Sequence, residues 1–223
     1  MVLDLTITIC ARSGSQRLPQ KNTLKLGGIT LIDLAIKLAL QIVPKDCIIF
    51  SSDSEDYLSM AAKKKVKLHK RGEDLANAHV SKIDVFKSLT ELSNSKYFID
   101  LDVTAPIREV SDVVGLYTAL KGKDIAFAAV KMESINPYFN MVEVKQDGRL
   151  GTVAGGSFSR SQDTPSVFLL NGLMGWERSY LGKSKNIFET DNWGMHLMSP
   201  EKMFDIDNRL DFEIIKTINR LKK

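Results

Sequence analysis

Apolar runs of strand length alternate with stretches of helical period from Leu3 to Val130, and this alternation restricts the chain to βαβ units around a mostly parallel sheet. The strand-like runs are Leu3–Cys10, Cys47–Phe50, Val66–His69, Tyr97–Leu101 and Ile125–Val130. Between them the spacing predicts a helix from about Thr30 to Gln41, with Leu31, Leu34, Ala35 and Leu38 on one face, and others over about Glu55–Lys64 and Ser81–Leu92. A fourth, carrying Val114, Tyr117 and Leu120, has Ser111 as its expected cap. The chain closes on an extended Met203–Asp207 and a helix from about Arg209 to Leu221, with Phe212, Ile215 and Ile218 on one side.

From Glu133 to Phe168 the rhythm breaks. Turn signals crowd in at Asn136-Pro137, Asp147-Gly148 and Gly155-Gly156, and Tyr138–Leu150 reads as a hairpin about Gln146-Asp147-Gly148, with loop beyond. Such a piece buries little by itself, so it is expected to pack on the main domain or on a second subunit. Leu173–Trp176 and Gly194–Met198 are expected as further strands. At 223 residues the chain fits one domain able to bury a sizeable core.

Composition removes several classes of function. The net charge of +4 is mild and its cations are scattered, apart from Lys63-Lys64-Lys65, so no nucleic-acid stripe exists. No apolar run approaches a membrane span and no signal-peptide pattern opens the chain, which leads to the expectation of a cytoplasmic protein. Cys10 and Cys47 fall in strand-like runs without metal-ligand spacing and read as reduced core residues. There is no GxSxG or HExxH, and His69, His79 and His196 share no metal-binding spacing.

Three features carry candidate chemistry. The loop Ala11–Asn22, reading ARSGSQRLPQKN, follows the first strand and places Arg12, Arg17 and Lys21 among Ser13, Gly14 and Ser15. Small residues let backbone N–H groups approach an anion, and the cations add neutralising charge, so the loop suits a polyphosphate; solvated surface loops have the same composition. It is neither a Walker loop nor GxGxxG. The second feature is Asp205-Ile206-Asp207: if extended, its period of two puts both carboxylates on one face and Ile206 in the core, an arrangement that suits a divalent cation also holding phosphate oxygens. Helix capping by Asp207 or Asn208 is the competing explanation, and it leaves Asp205 unexplained. Third, Asp102 ends a predicted central strand, where open α/β sheets bind ligands, although a solvated loop aspartate would look the same.

Taken in order, ARSGSQRLPQKN, IIFSSDSEDYLSMAAK, KRGEDLA, LDVTAPIR, RSQDTP with LLNG, and FDIDNRLDFE resemble the acylneuraminate cytidylyltransferases, with SQRLPQK also similar to the KDO cytidylyltransferases. The resemblance implies a Rossmann-like, mostly parallel α/β sheet of the nucleotide-diphospho-sugar transferase type, with residues 133–172 as an inserted β-rich dimerisation arm. It implies Mg²⁺-dependent transfer of CMP from CTP to the anomeric hydroxyl of an acidic 2-keto sugar, with release of pyrophosphate, by a homodimer. CTP would be bound by residues of the Ala11–Asn22 loop, including Arg12, Ser13, Gly14, Ser15, Arg17, Lys21 and Asn22, and by Arg71 and Ser81. The sugar would lie near Asp102, Thr104, Arg108, Arg160, Gln162 and Asn171. Metal ligands would be Asp205 and Asp207, with Asp102 a further candidate, and Arg12, Lys21 and Asp207 would act in catalysis. Nine-carbon acids such as legionaminic or pseudaminic acid head the candidate substrates; an eight-carbon KDO-type acid, or a catalytically silent nucleotide-binding homologue, stand as alternatives. Gln16-Arg17 in place of Lys-Gly, Asp102 in place of Gln, and Leu169 in place of Arg depart from the sialic-acid pattern.

Overall fold

The structure, a computed structural model, describes residues 3–14, 17–76 and 80–222. Its elements, in chain order, begin with β1 (Leu5–Cys10), the small hairpin β2 (Lys25–Leu26) and β3 (Ile29–Thr30), α1 (Leu31–Leu40), β4 (Ile48–Ser52), α2 (Glu55–Ala62) and β5 (Lys67–Lys70). There follow α3 (Glu73–Ala76), α4 (Lys82–Thr90), β6 (Tyr97–Leu101), α5 (Val110–Leu120) and β7 (Ile125–Met132). The last are β8 (Val142–Val144), β9 (Leu150–Thr152), β10 (Val167–Glu177), α6 (Arg178–Leu181), β11 (Trp193–Met198) and α7 (Arg209–Leu221).

Seven strands form the central sheet in the order β11-β7-β10-β6-β1-β4-β5. β10 runs antiparallel to both neighbours and every other pairing is parallel. Helices cover both faces, so strand residues are buried on both sides and alternate between two cores. Ile7, Ile9, Phe50 and Ile99 face α1, α2, α5 and α7, whereas Ile49, Phe98, Phe127 and Trp176 face α4 and α6. Trp176 stacks on Phe86 and Phe98 and donates its indole N–H to Thr90 Oγ1 at 3.0 Å, so its polar edge is satisfied where it is buried.

The helix starts follow local chemistry. Thr30, Ser54, Ser81 and Asn208 accept hydrogen bonds from backbone N–H groups in the first turns of α1, α2, α4 and α7. α5 differs from expectation: Glu109, not Ser111, is its N-cap, because the Asp112 carboxylate accepts from Glu109 N at 2.8 Å and is itself fixed by buried Lys202 at 2.7 Å. β10 is also longer than expected. It takes in residues read as loop, pairs with the outer end of β7, and breaks register between Leu170 and Met174, where Gly172 has φ +50°. The expected hairpin forms, but its strands lie at Val142–Val144 and Leu150–Thr152. It is highly exposed, with Val142, Val144 and Leu150 facing solvent.

Candidate functional site

The carboxyl ends of β1, β5 and β6 open into one cleft of about 530 Å³, closed by the 11–22 loop on one side, the start of α4 on another and Asp205 to Asp207 on a third. This is where a parallel sheet leaves backbone and loops available to a ligand. Its lining includes Arg12, Arg17, Lys21, Asn22, Arg71, Lys82, Asp102, Thr104, Asp205 and Asp207.

The loop is held at both ends. Ala11 N donates to Ser51 O at 3.0 Å, and buried Asn22 returns its side-chain amide to Arg12 O at 3.1 Å. In between, Ser13 gives both its backbone N–H and its hydroxyl to the two oxygens of Asp53, at 2.8 and 2.6 Å. Burial raises the Asp53 pKa, but these two bonds and the charge of Arg71 outweigh it and hold the carboxyl below its usual range. Arg71 is fixed on the end of β4: Nε donates to Ser51 Oγ at 2.9 Å, and that hydroxyl meets His69 Nδ1 at 3.0 Å. Burial and the nearby Arg71 lower the His69 pKa, which keeps the ring neutral at pH 7.

Opposite the loop, the chain is extended at Phe204 and bends at Asp207. Ile206 is wholly buried and donates its backbone N–H to Thr104 O at 2.8 Å, while the two aspartates line the cleft. Lys21 Nζ binds Ile206 O at 2.8 Å and Asp207 Oδ1 at 3.3 Å, and Arg17 reaches Asp207 Oδ2 at 3.1 Å. Asp205 Oδ1 is buried with no hydrogen-bond partner among the described residues. Burial, then the charge of Asp102, push its pKa upward. Asn208 provides the α7 cap and Asp211 answers it at 2.9 Å, so neither cleft aspartate serves as that cap.

Asp102 is fully engaged. Oδ1 accepts from Thr104 N and Oγ1 at 3.2 and 2.8 Å, and Oδ2 pairs with Lys82 Nζ at 3.2 Å. Burial opposes ionisation of Asp102, but Lys82 and Thr104 outweigh it and lower the pKa. Lys82 was not among the residues singled out in the sequence. Its one local signal is a lysine at the first position of a helix, where the positive end of the dipole disfavours it.

The remaining candidates lie elsewhere. Ser81 uses its hydroxyl as the α4 cap, accepting from Ile83 N at 3.2 Å. Arg108 and Asn171 reach backbone carbonyls: Arg108 donates to Ile107, Lys202 and Asn171 through Nη1 and Nη2, its buried Nε having no partner among the described residues, and Asn171 Nδ2 donates to Lys202 at 2.6 Å. Arg108 borders a smaller cavity of about 220 Å³ that shares Asp102 with the cleft. Arg160 is exposed and clamps Asp163 through two hydrogen bonds, and Gln162 sits exposed in the same turn; neither lines the cleft. Gly14 is exposed with open space around its Cα. Ser15 and His79 lie outside the described residues.

The sequence matches the family model described as Cytidylyltransferase over residues 6–221. It is 30% identical to the post-translational flagellin modification protein B of Campylobacter coli and 31% identical to the CMP-N,N'-diacetyllegionaminic acid synthase of Campylobacter jejuni, each over 98% of this chain and 96% of the relative. Identity to an N-acylneuraminate cytidylyltransferase of Streptococcus agalactiae is 25% over 92% of this chain, which spans 50% of that relative. Among solved structures, a CMP:2-keto-3-deoxy-manno-octonic acid synthetase complexed with CTP superimposes with a TM-score of 0.74 at 17% identity, covering 98% of this chain and 99% of that one. The last match establishes a common fold.

Proposed function

The chain belongs to the cytidylyltransferase family, and from that premise we propose that it transfers CMP from CTP to the anomeric hydroxyl of a sialic-acid-like nonulosonic acid, such as a legionaminic acid, and releases pyrophosphate. The observation that carries this reading is the opposition, in one cleft, of a cation-bearing loop (Arg12, Arg17, Lys21) and the acidic pair Asp205 and Asp207. The near-full-length likeness to a legionaminic acid synthase supports the nine-carbon substrate.

Cytidylyl transfer requires the sugar hydroxyl to attack the α-phosphorus in line with departing pyrophosphate, so the protein's task is to position the two substrates and neutralise charge on oxygen. Arg12, Arg17 and Lys21 are placed to meet the triphosphate, with Lys21 and Arg17 exchanging Asp207 for phosphate oxygens. The Ser13–Asp53 clamp and the Asn22–Arg12 bond hold the loop in shape before the nucleotide arrives. Asp205 and Asp207 fit a divalent cation, because Asp205 presents a buried oxygen without a donor and a carboxyl whose ionisation its neighbours oppose. Among the described residues no three His, Cys, Asp or Glu side chains are grouped to hold a metal alone, so the other ligands would be substrate oxygens and water, the usual habit of Mg²⁺. Bound there, Mg²⁺ supplies charge neutralisation at the phosphate and polarises the attacking hydroxyl.

Residues 133–172 act in this reading as a dimerisation arm, supported by the exposed Val142, Val144 and Leu150 of the hairpin and Phe168, Leu169 and Leu170 of β10. A solution mass that stays at one chain at all concentrations would count against it. No helix among the described residues is long and apolar enough to cross a membrane. The deciding experiment measures pyrophosphate release from CTP and Mg²⁺ with N-acetylneuraminic, legionaminic, pseudaminic and KDO acids, and identifies the product by mass. A CMP-nonulosonate is expected. Turnover of KDO alone, or CTP binding with no turnover of any acid, would overturn the proposal.

A further inference from the structure

A 2-keto sugar acid carries its carboxylate on the anomeric carbon, so delivering the anomeric hydroxyl to Asp205 and Asp207 brings that carboxylate into a cleft already lined by three aspartates. Like charges gathered in one cleft repel, and a cation beyond those that face the triphosphate would answer the incoming one. Five cations line the cleft. Arg12, Arg17 and Lys21 share the loop that faces the triphosphate, and Arg71 is tied to Ser51 through Nε and Nη2. Lys82 is the remaining one, on the wall formed by the start of α4, with its side chain 69% exposed.

Two observations indicate that Lys82 is not there for the fold. It occupies the first position of α4, where the helix dipole disfavours a positive charge and where Ser81 already provides the cap. Asp102, its partner, is anchored independently through Thr104 N and Oγ1. Resting on the reaction proposed above, we infer that Lys82 binds the carboxylate of the sugar acid, and that Asp102 holds its ammonium at the cleft wall until the acid displaces it. The pair thereby selects for an anionic sugar. It also gives the acid at position 102 a role other than metal ligation, since before the sugar acid arrives both Asp102 oxygens have donors.

The test compares wild type, Lys82→Met and Lys82→Arg, using CTP with legionaminic acid and with its neutral methyl ester. A lost charge-assisted hydrogen bond corresponds to about 10- to 100-fold. Lys82→Met is therefore expected to raise KM for the acid by about that factor, to leave KM for CTP within about twofold, and to erase the preference of wild type for acid over ester. Lys82→Arg should restore most of that preference. An unchanged KM for the acid, a parallel rise in KM for CTP, or an acid preference that survives in Lys82→Met would each overturn the assignment. Silence of the wild type toward every acid of the panel would instead remove the reaction on which the inference stands.

Discussion

Asp100 is the group whose removal has the most calculable effect. It lies in the middle strand β6, 4% exposed, and its Oδ1 accepts from Thr8 Oγ1 at 2.7 Å; Cys10, Lys82 and Asp102 are its other titratable neighbours. Burial dominates and, with the Asp102 charge, outweighs Lys82 and Thr8, so the pKa is pushed up from 3.8 to about 6. Below 3.8 both folded and unfolded chains hold the proton and the group contributes nothing. As pH rises toward 6 the unfolded chain has released the proton while the folded chain keeps it, so stability falls; above 6 the full penalty applies. A difference of about two pH units corresponds to roughly 3 kcal/mol at about pH 7.5 and to roughly 1 kcal/mol at about pH 4.5. Asp100→Asn keeps an acceptor for Thr8 and removes the titration. Urea unfolding of variant and wild type at the two pH values should therefore show the variant gaining about 2 kcal/mol more at the higher pH. Comparing the difference cancels any fixed cost of burying the amide, and also the opposite trend from distant carboxyls held low, such as Asp53, which both proteins share. A stability difference that is the same at both pH values would refute the argument.

What the sequence revealed was what depends on near neighbours. The period of two at Asp205-Ile206-Asp207 placed Ile206 in the core and both carboxylates in the cleft, and the spacing of Phe212, Ile215 and Ile218 marked the inner face of α7. The strands that build the site were equally legible, because a buried parallel strand is a continuous apolar run wherever it occurs. What stayed hidden depends on partners far along the chain. Ser111 is a good local cap, but α5 begins earlier because Lys202, ninety residues on, fixes Asp112. The direction of β10 is not written in its own residues; it follows from where the chain re-enters the sheet, between β6 and β7. Lys82 reads as an ordinary helix lysine until the fold sets it against Asp102. Arg108 and Asn171 likewise meet at the Lys202 carbonyl, a contact that no local pattern announces.

Two further substitutions separate function from stability. Asp205→Asn removes a buried anion whose Oδ1 lacks a donor, so the metal-free protein should gain about 1 kcal/mol, or a few degrees in Tm, while turnover falls at least about 100-fold; a lower Tm with near-normal turnover would refute the metal role. Gly172→Ala should be costly for two reasons, and Gly122→Ala isolates one of them. Both glycines have positive φ, +50° and +73°, so each alanine incurs about 1–2 kcal/mol of backbone strain. At Gly122 a new Cβ meets nothing within 4 Å, whereas at Gly172 it comes to 2.8 Å from Ala105 Cβ and 3.2 Å from Asp102 Cβ. Crowding there adds about 1–3 kcal/mol. It also strains the Asp102 N to Gly172 O bond of 2.9 Å that seats Asp102 beside the cleft. Thermal unfolding should therefore rank Gly172→Ala below Gly122→Ala, and only Gly172→Ala should raise KM for the sugar acid. Equal losses in Tm with unchanged kinetics would mean that the Asp102 turn yields to the extra methyl, and that its position does not govern how the sugar is held.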